Sequence, residues 1–290
     1  MNNHDILERF VFNNTNIRGE LVQLQATYQE ITQQHDYPPP LQAYLGEALV
    51  ISALLMASIK MQGNITLQIR AEGNVSLLVV QANHQLQLRA LARYKGNLGG
   101  DFQTDFGQGQ LAVTIEPENG KQYQGIVALD AQIPNLTAAI ELYFIQSQQL
   151  ATKIWLATDS RSAAGLFIQH LPHKAQTEED FWQHLTLLSQ TIKVEELLSL
   201  PSATILHRLY HAEEMEVFEP AGVSFKCKCS TTSMGQAVMV LGKEDIHTLL
   251  AEQGKIEITC QFCNKQYSFS EAHIEELLSL QTLAAKAGLQ

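Results

Sequence analysis

Four cysteines, the only ones in this chain of 290 residues, form two close pairs near its C-terminal end. Cys227 and Cys229 have the spacing CxC, and Cys260 and Cys263, about thirty residues further on, have the spacing CxxC. Two such pairs that converge on one point offer four thiolates, which is the ligand set of a closed tetrahedral Zn²⁺ site. The spacing therefore predicts one zinc ion per chain, held by sulfur alone.

The two motifs need different backbones. On an extended strand, residues i and i+2 face the same side, so a strand over residues 223–229 would point Cys227 and Cys229 at one metal ion. Cys260 and Cys263 are expected on a turn after a strand at 256–259, where Asn264 tolerates a left-handed backbone conformation.

Two other interpretations of the cysteines are weaker. Free cysteine is among the most buried residue types, but four unrelated buried thiols would not fall into two tight pairs with no cysteine elsewhere. A thioredoxin-like redox motif would need a βαβ context around Cys260, which the sequence does not show. It would also leave the CxC pair unexplained.

Composition and charge limit the classes of partner. Hydrophobic residues make up 45% of the chain, enough for one large domain or two ordinary ones. The net charge of −11 argues against a nucleic-acid partner, since binding phosphates needs a basic face. No secretory signal is visible, and the longest apolar stretch, residues 48–59, is too short to span a bilayer. We therefore expect no membrane association and a cytoplasmic location, where close thiols are more often metal-bound or redox-sensing than structural disulfides.

Charge is distributed unevenly along the chain. Residues 1–176 carry 11 basic and 14 acidic side chains, and residues 226–290 carry 6 and 7. The intervening residues 177–225 carry 2 basic side chains against 9 acidic ones, a net charge of −7. This middle segment therefore differs in character from both neighbours.

Hydrophobic periodicity predicts an α+β fold. A helix is expected from residue 41 to about residue 60, and its apolar residues cover more than one face, as in a central helix. Alternation of apolar and polar residues predicts strands separated by turn signals. The predicted elements are an amphipathic stretch at 21–32, strands at 65–69, 75–81, 85–92, 111–115, 123–129 and 153–158, and a helix at 138–149. This order predicts an antiparallel sheet with helices packed on it.

The acidic segment and the residues after it are expected to be mostly helical. Acidic residues after Thr177 mark a helix start. Phe181, Trp182, Leu185 and Leu188 give this helix an apolar stripe. Further helices are expected at 201–210, 233–241 and 244–253, and a last one from 271, capped by Ser270.

No other motif predicts a conventional enzyme. His207 and His211 lie four residues apart on a helix and could share a metal ion, but no acid lies between them as in a metalloprotease motif. Gly107 and Gly109 lack the third glycine and the following helix of a dinucleotide loop, so a turn is expected there. The chain contains no Walker A, GxSxG or HExxH motif, and the order of its Ser, His and Asp residues suggests no triad.

With its CxC motif followed by CxxC, the chain resembles the 33 kDa chaperonin family, the redox-regulated heat-shock chaperones of bacteria. The resemblance covers essentially the whole chain. Segments similar to the family are 17–22, 35–38, 123–127, 191–198, 208–211 and 225–230. Two departures, Ala90 where glycine is expected after Arg89 and Asn264 where glycine often follows the last cysteine, touch no expected zinc ligand.

The resemblance implies a function and a division of the chain. It implies an ATP-independent holdase, inactive when reduced and zinc-bound and active once oxidised, which hands unfolding client proteins to ATP-dependent refolding chaperones. The implied parts are an α+β core domain at 1–176, a helical linker at 177–225 and a small zinc-binding domain at 226–290. Oxidation is expected to form the disulfides Cys227–Cys229 and Cys260–Cys263 and to favour homodimers.

Physical arguments agree with such a switch. A domain as small as the expected zinc-binding domain at 226–290 rarely gains more than ~3–5 kcal/mol of stability from its own core. Structural Zn²⁺ contributes an apparent ~10–16 kcal/mol at neutral pH. Loss of the metal should therefore unfold the module. A Cys227–Cys229 disulfide would also need a bent backbone, because Cα atoms two residues apart on a strand lie ~6.6 Å apart, at the far edge of the disulfide range.

The apolar stripe of the linker is the expected client-binding surface. Phe181, Trp182, Leu185 and Leu188 should be buried in the reduced state and meet the hydrophobic surface of a client once released, while the charge of −7 keeps the open form soluble. Two other function classes remain open. One is a constitutive zinc-ribbon adaptor that binds one folded partner, and the other is an oxidoreductase that uses the CxxC pair.

Overall fold

The structure is a computed structural model that describes residues 5–172 and 177–277. The chain divides into two compact units, Met1–Lys226 and Cys227–Gln290. The first unit combines largely antiparallel sheets with helices, and the second combines helices with a short hairpin. The predicted α+β fold class is therefore confirmed.

Two sheets and several helices form the first unit. In chain order its strands are β1 (Ile6–Phe12), β2 (Ile17–Leu24), β3 (Gly63–Ala71), β4 (Val75–Asn83), β5 (Gln87–Tyr94), β6 (Gly109–Pro117), β7 (Tyr123–Leu129), β8 (Ala151–Thr158), β9 (Ala163–His170), β10 (Met215–Val217), β11 (Ala221–Gly222) and β12 (Ser224–Phe225). Its helices are α1 (Ala26–Thr32), α2 (Pro39–Ser58), α3 (Phe102–Phe106), α4 (Leu136–Tyr143), α5 (Thr177–Ser189), α6 (Val194–Ser199) and α7 (Ser202–Tyr210), and a π-helical turn (Phe144–Gln148) follows α4.

The strands pair in two separate sheets. The first sheet has the order β10-β1-β2-β9-β8, with β11 also paired to β1, and the second has the order β12-β5-β4-β3-β6-β7. Every pairing is antiparallel except the two-residue contact of β12 with β5. Strands β3 to β8 lie where alternation predicts them. Strands β1, β2 and β9 are not predicted, because they are buried on both faces and their apolar and polar residues do not alternate.

Helix α2 is the central helix that the sequence predicts. It begins two residues earlier than expected, because Pro39 and Pro40 form its first turn, and it ends at Ser58, where the backbone of Ile59 becomes extended. Its side chains are buried on nearly every side and contact strands of both sheets. Among the described residues it is the one helix with the length and composition of a membrane span, but 78% of that stretch is buried inside the protein. It is therefore a core helix.

Three predicted elements differ from the structure. The amphipathic stretch at 21–32 is divided between the end of β2 and α1, with Gln25 between them. The helix predicted at 138–149 leaves α-helical geometry after Tyr143 and continues as the π-helical turn. The strand predicted at 223–229 is wrong beyond Phe225, because pairing with β5 ends at the hydrogen bond from Lys226 N to Leu88 O.

Helices α5 to α7 cover one face of the first sheet. Trp182 and Leu185 from α5 and Tyr210 from α7 are buried in one cluster with strand residues such as Phe12 and Leu166. The opposite face of the sheet belongs to the larger core around α2. The first sheet is therefore covered by helices on both sides.

The second unit is small. It contains α8 (Thr231–Met239), α9 (Lys243–Gln253), the hairpin of β13 (Lys255–Thr259) and β14 (Gln266–Ser270), and helical residues at 271–277. One apolar cluster joins them, and its buried members include Val238, Ile246, Leu250, Ile256, Tyr267, Phe269 and Ile274. Ser270, predicted as a helix cap, ends β14, and its Oγ lies 3.1 Å from Nδ1 of His273.

Candidate metal centre

The two cysteine motifs come together at one point of the second unit. Cys227 and Cys229 lie on the segment that precedes α8, and Cys260 and Cys263 lie on the turn between β13 and β14. All four Sγ atoms lie within 4.8 Å of one another. Cys260 is buried and the other three are partly buried. Among the described residues, this is the one group of three or more potential ligands close enough to share an ion.

The distances between sulfur atoms suit a tetrahedral metal ion. Cys227 Sγ lies 3.6 Å from Cys260 Sγ, and Cys229 Sγ lies 3.4 Å from Cys263 Sγ. In a tetrahedron with Zn–S bonds of ~2.3 Å, neighbouring sulfur atoms are ~3.8 Å apart. Four sulfur donors suit Zn²⁺ and not the hard ions Ca²⁺ or Mg²⁺, which take oxygen ligands. The donor set therefore fits the predicted ion.

A tight turn presents the CxxC pair. Asn264 has a φ of 55°, which confirms the left-handed conformation expected there. Asn264 N donates to Cys260 O over 2.8 Å, and Cys260 N donates to Lys265 O over 2.9 Å. The two strands on either side of this turn, β13 and β14, are paired along their full length. A regular hairpin therefore holds the turn that carries both thiols.

The start of α8 fixes the CxC pair. Ser230 is the N-cap of this helix: its Oγ accepts a hydrogen bond from Ser233 N over 3.1 Å, and its own N donates to Ser233 Oγ over 2.8 Å. Cys229 immediately precedes this cap, so the helix start sets its position. The capped start of α8, and not a strand, therefore positions the CxC segment at the site.

Tyr267 is a site residue that the sequence analysis misses. Its hydroxyl donates a hydrogen bond to Cys229 Sγ over 3.1 Å, and Lys265 Nζ lies 5.2 Å from the centre of its ring. Tyr267 alternates with Phe269 along β14, and this pattern alone indicates only a half-buried strand. No sequence signal distinguishes a tyrosine that packs from one that bonds a ligand sulfur.

The thiols differ in acidity because their surroundings differ. Burial raises the pKa of Cys227 and of Cys263. Burial acts in the same direction on Cys229, but the hydrogen bond from Tyr267 and those from the other thiols outweigh it and bring its pKa to about 7. The same hydrogen bond raises the pKa of Tyr267 to about 12. The cluster therefore already favours a thiolate at Cys229, the form that binds metal ions.

The predicted client-binding residues lie in the first unit, on α5. Trp182 and Leu185 are 7% and 0% exposed, and Phe181 and Leu188 are partly buried in the same cluster. The Phe181 ring meets the Phe12 ring edge-on with centroids 5.9 Å apart. The stripe is therefore covered by the first sheet in this structure.

Polar contacts that the sequence does not reveal hold the neighbouring helices. Gln23, on β2 and 4% exposed, donates from Nε2 to Leu197 O and to Leu200 O, both over 2.9 Å. These carbonyl groups lie at the end of α6, where helices leave acceptors unpaired. A glutamine in a buried strand thus ties the end of α6, within the predicted linker, to the sheet.

The histidine pair does not join the metal centre. His207 and His211 lie on and just after α7, in the first unit, with ring centroids 5.7 Å apart. Neither belongs to a group of three or more potential metal ligands among the described residues. The four cysteines remain the candidate ligand set.

Comparisons with known proteins point to one family. A family model described as "Hsp33 protein" matches residues 5–270. The chain is 47% identical to the 33 kDa chaperonin of Shewanella sp. (strain ANA-3), over 91% of this chain and 92% of that protein. It is 44% identical to the 33 kDa chaperonin of Shewanella frigidimarina (strain NCIMB 400), over 96% of each.

A solved structure shares the fold. The crystal structure of the 33 kDa chaperonin (HSP33) of Thermotoga maritima superposes with a TM-score of 0.82, over 96% of this chain and 99% of that one, at 22% identity. The family model spans most of the chain, and the Shewanella relatives exceed the identity at which family membership is secure. The chain therefore belongs to the Hsp33 family, as the resemblance of its cysteine motifs predicts.

Proposed function

We propose that this protein is a redox-regulated, ATP-independent molecular chaperone, a holdase that binds unfolding client proteins and prevents their aggregation. The family and the name "33 kDa chaperonin" of its relatives support the chaperone function. The observation that carries the redox part is the convergence of four cysteines within 4.8 Å of one another. Four thiols this close can bind a metal ion when reduced and form disulfides when oxidised, which are the two states a redox switch needs.

In the reduced state, Cys227, Cys229, Cys260 and Cys263 would hold one zinc ion. The ion would link the segment before α8 to the turn between β13 and β14 and neutralise part of the charge of four thiolates. Tyr267 would orient the Cys229 sulfur through its hydroxyl. The small apolar cluster of this unit includes Cys260 itself. Its stability would therefore depend on the metal.

Oxidation would remove the ligands. Each disulfide forms when two thiols give up two protons and two electrons, which reduce one molecule of peroxide to two of water. The proposed pairs are Cys227–Cys229 and Cys260–Cys263. Cys227 Sγ contacts Cys260 Sγ, and Cys229 Sγ contacts Cys263 Sγ, so disulfides within each motif would separate sulfurs that the metal holds together. Because Cys227 and Cys229 lie outside β12, their backbone is not bound to strand geometry.

Unfolding of the second unit would then release the linker, residues 177–225. Its helices bury Phe181, Trp182, Leu185 and Leu188 against the first sheet, and release would expose this stripe to client surfaces. The proposed parts remain a core domain at 1–176, this linker and a zinc-binding domain at 226–290. Exposed apolar surface favours association, in line with a homodimer when oxidised and with transfer of clients to ATP-dependent refolding chaperones. We also propose a non-enzymatic, cytoplasmic role.

Aggregation of a thermally unfolding client tests this proposal. The reduced, zinc-loaded protein should not suppress light scattering, and the peroxide-treated protein should suppress it without ATP. Equal activity in both states would favour the constitutive zinc-ribbon adaptor. Catalytic turnover of a disulfide substrate by the CxxC pair would favour the oxidoreductase. Either result would reject the redox-switched holdase.

A further inference from the structure

A cavity of about 440 Å³ lies in the first unit, beside β1 and β2 and the C-terminal end of α2. Its lining includes four charged residues, Arg9, Arg18, Lys60 and Glu20, next to apolar side chains such as Phe218. Its volume lies in the range of small-molecule sites, ~300–1,000 Å³. The proposed redox mechanism makes no use of this cavity.

Glu20 is a buried carboxyl group in the lining of this cavity. Its side chain is 2% exposed, and Oε2 has no hydrogen-bond partner among the described residues. Burial raises the pKa of Glu20 to about 8, although Arg18 and Arg9 act against it. At neutral pH the group is therefore mostly the uncharged acid, which can donate one hydrogen bond. Native proteins seldom leave such a group unsatisfied, and the cavity beside Glu20 has room for a partner, either water or a ligand.

Two arginines share the face of the sheet on which Glu20 lies. Arg9 is opposite Glu20 in the β1–β2 pairing, and Arg18 is two residues before it on the same strand. The Arg18 guanidinium is already fixed: Nη1 donates to Ser58 O over 2.9 Å, and Nη2 and Nε donate to Gln169 Oε1 over 2.6 and 3.2 Å. These bonds use three of its five N–H groups. The other two have no acceptor among the described residues, and Arg18 belongs to the lining of the cavity.

We propose that this cavity binds a small organic carboxylate that carries a short apolar chain. The ligand carboxylate accepts hydrogen bonds from the fixed guanidinium of Arg18 and from the uncharged Glu20. Arg9 and Lys60, both exposed, add positive charge. The apolar chain of the ligand covers lining residues such as Leu171. Inorganic phosphate suits the site less well, since it would leave the apolar lining uncovered.

Binding depends on the protonation of Glu20. The charged groups around it are Arg9 on β1, Arg18 on its own strand and Lys60 after α2, while β9 places the uncharged Phe167 opposite it. Because burial raises the pKa of Glu20 to about 8, the group is mostly a hydrogen-bond donor at pH 6.5 and mostly a carboxylate, which repels the ligand, at pH 9.5. One linked proton predicts that affinity falls about tenfold per pH unit above pH 8.

Titrations of the full-length, reduced protein test the proposal, with the backbone amide NMR signals of β1 and β2 as the readout. The probes are butyrate, butyramide, which has the same shape without the charge, and inorganic phosphate, each at about pH 6.5 and pH 9.5. Butyrate should saturate, bind at least tenfold more tightly than butyramide and than phosphate, and weaken at least tenfold at the higher pH. In Glu20→Gln, whose amide donates but cannot ionise, the pH dependence should disappear.

Each other outcome overturns part of the proposal. Absence of saturation by butyrate, or equal binding of butyrate and butyramide, rejects the site. Tighter binding of phosphate rejects the carboxylate class. A loss of affinity at high pH that persists in Glu20→Gln rejects the role of Glu20. If Glu20→Gln does not fold, the exposed variants Arg9→Gln and Lys60→Gln decide: each should weaken butyrate at least threefold without changing butyramide, and unchanged butyrate binding contradicts the proposal.

Discussion

The hydroxyl oxygens of Ser189 on α5 and Tyr210 on α7 lie 2.5 Å apart, and both residues are buried against the first sheet. Ser189 Oγ donates its one hydrogen to Leu185 O over 2.7 Å, so Tyr210 is the donor to Ser189. The Tyr210 ring packs against the rings of Phe10 and Phe12, with centroids 5.8 and 5.1 Å apart. One side chain thus joins α5, α7 and the sheet.

The variant Tyr210→Phe tests this junction. It keeps the ring packing and removes the donor, so the linker should lose about 1 kcal/mol of packing free energy, the usual net contribution of a hydrogen bond. Amide hydrogen exchange of α5 in the reduced protein should become faster. Tyr123→Phe is the control, because Tyr123 is 42% exposed and lies on β7. Equal exchange in the wild type and Tyr210→Phe would contradict the role of this hydrogen bond.

The apolar stripe of α5 can be tested with two leucines on the same helix. Leu185 is 0% exposed and Leu187 is 64% exposed. Leu185→Ala should cost about 2–5 kcal/mol by leaving a cavity, loosen the reduced linker and give basal suppression of client aggregation. Leu187→Ala should leave both properties unchanged. If the two variants behave alike in the aggregation assay, burial of the stripe does not control activity.

Tyr267→Phe tests the hydrogen bond to the Cys229 sulfur. Loss of a partner that bonds a metal ligand typically weakens metal affinity by ~10–100-fold. We expect zinc to remain bound at micromolar concentrations but to be released faster by peroxide, as followed with a chromogenic chelator. Tyr94→Phe, an exposed tyrosine on β5, is the control. Zinc release at the wild-type rate would show that Tyr267 only packs.

Removal of zinc should affect the two units differently. A strong chelator should abolish the circular-dichroism signal of α8 and α9, because the small apolar cluster of the second unit cannot keep these helices folded without the metal ion. The first unit, with its two sheets and central helix, should keep a cooperative unfolding transition. His207→Ala and His211→Ala should retain one zinc per chain by metal analysis. A second unit that stays folded without metal would contradict the proposed switch.

The sequence predicts the metal ligands of the site better than the secondary structure and hydrogen bonds that position them. Cysteine spacing indicates the cluster and Asn264 the turn, because both are local signals. The CxC pair is predicted on a strand, yet β12 ends at Phe225, since strand length depends on which partner strand is present. Tyr267 and Gln23 act through contacts with residues distant in the sequence, so no local pattern reveals their partners.

The same limit applies to the fold. One face of the second sheet is largely half-buried, and exposed along β7, so apolar and polar residues alternate there and predict β3 to β7. The first sheet has helices on both faces, so β2 and β9 carry apolar residues without a period of two. Helix α2 remains predictable, because a long apolar stretch after two prolines has few other interpretations.

The central claim is that oxidation of the four cysteines uncovers the apolar stripe of α5, and hydrogen exchange of the α5 amides tests it most directly. Exchange should be slow in the reduced, zinc-loaded protein, become faster by orders of magnitude after peroxide, and slow again after reduction with zinc present. A variant with all four cysteines replaced by serine should show no response to peroxide. If α5 stays protected in the oxidised protein while client aggregation is suppressed, the chaperone surface lies elsewhere and the account is wrong.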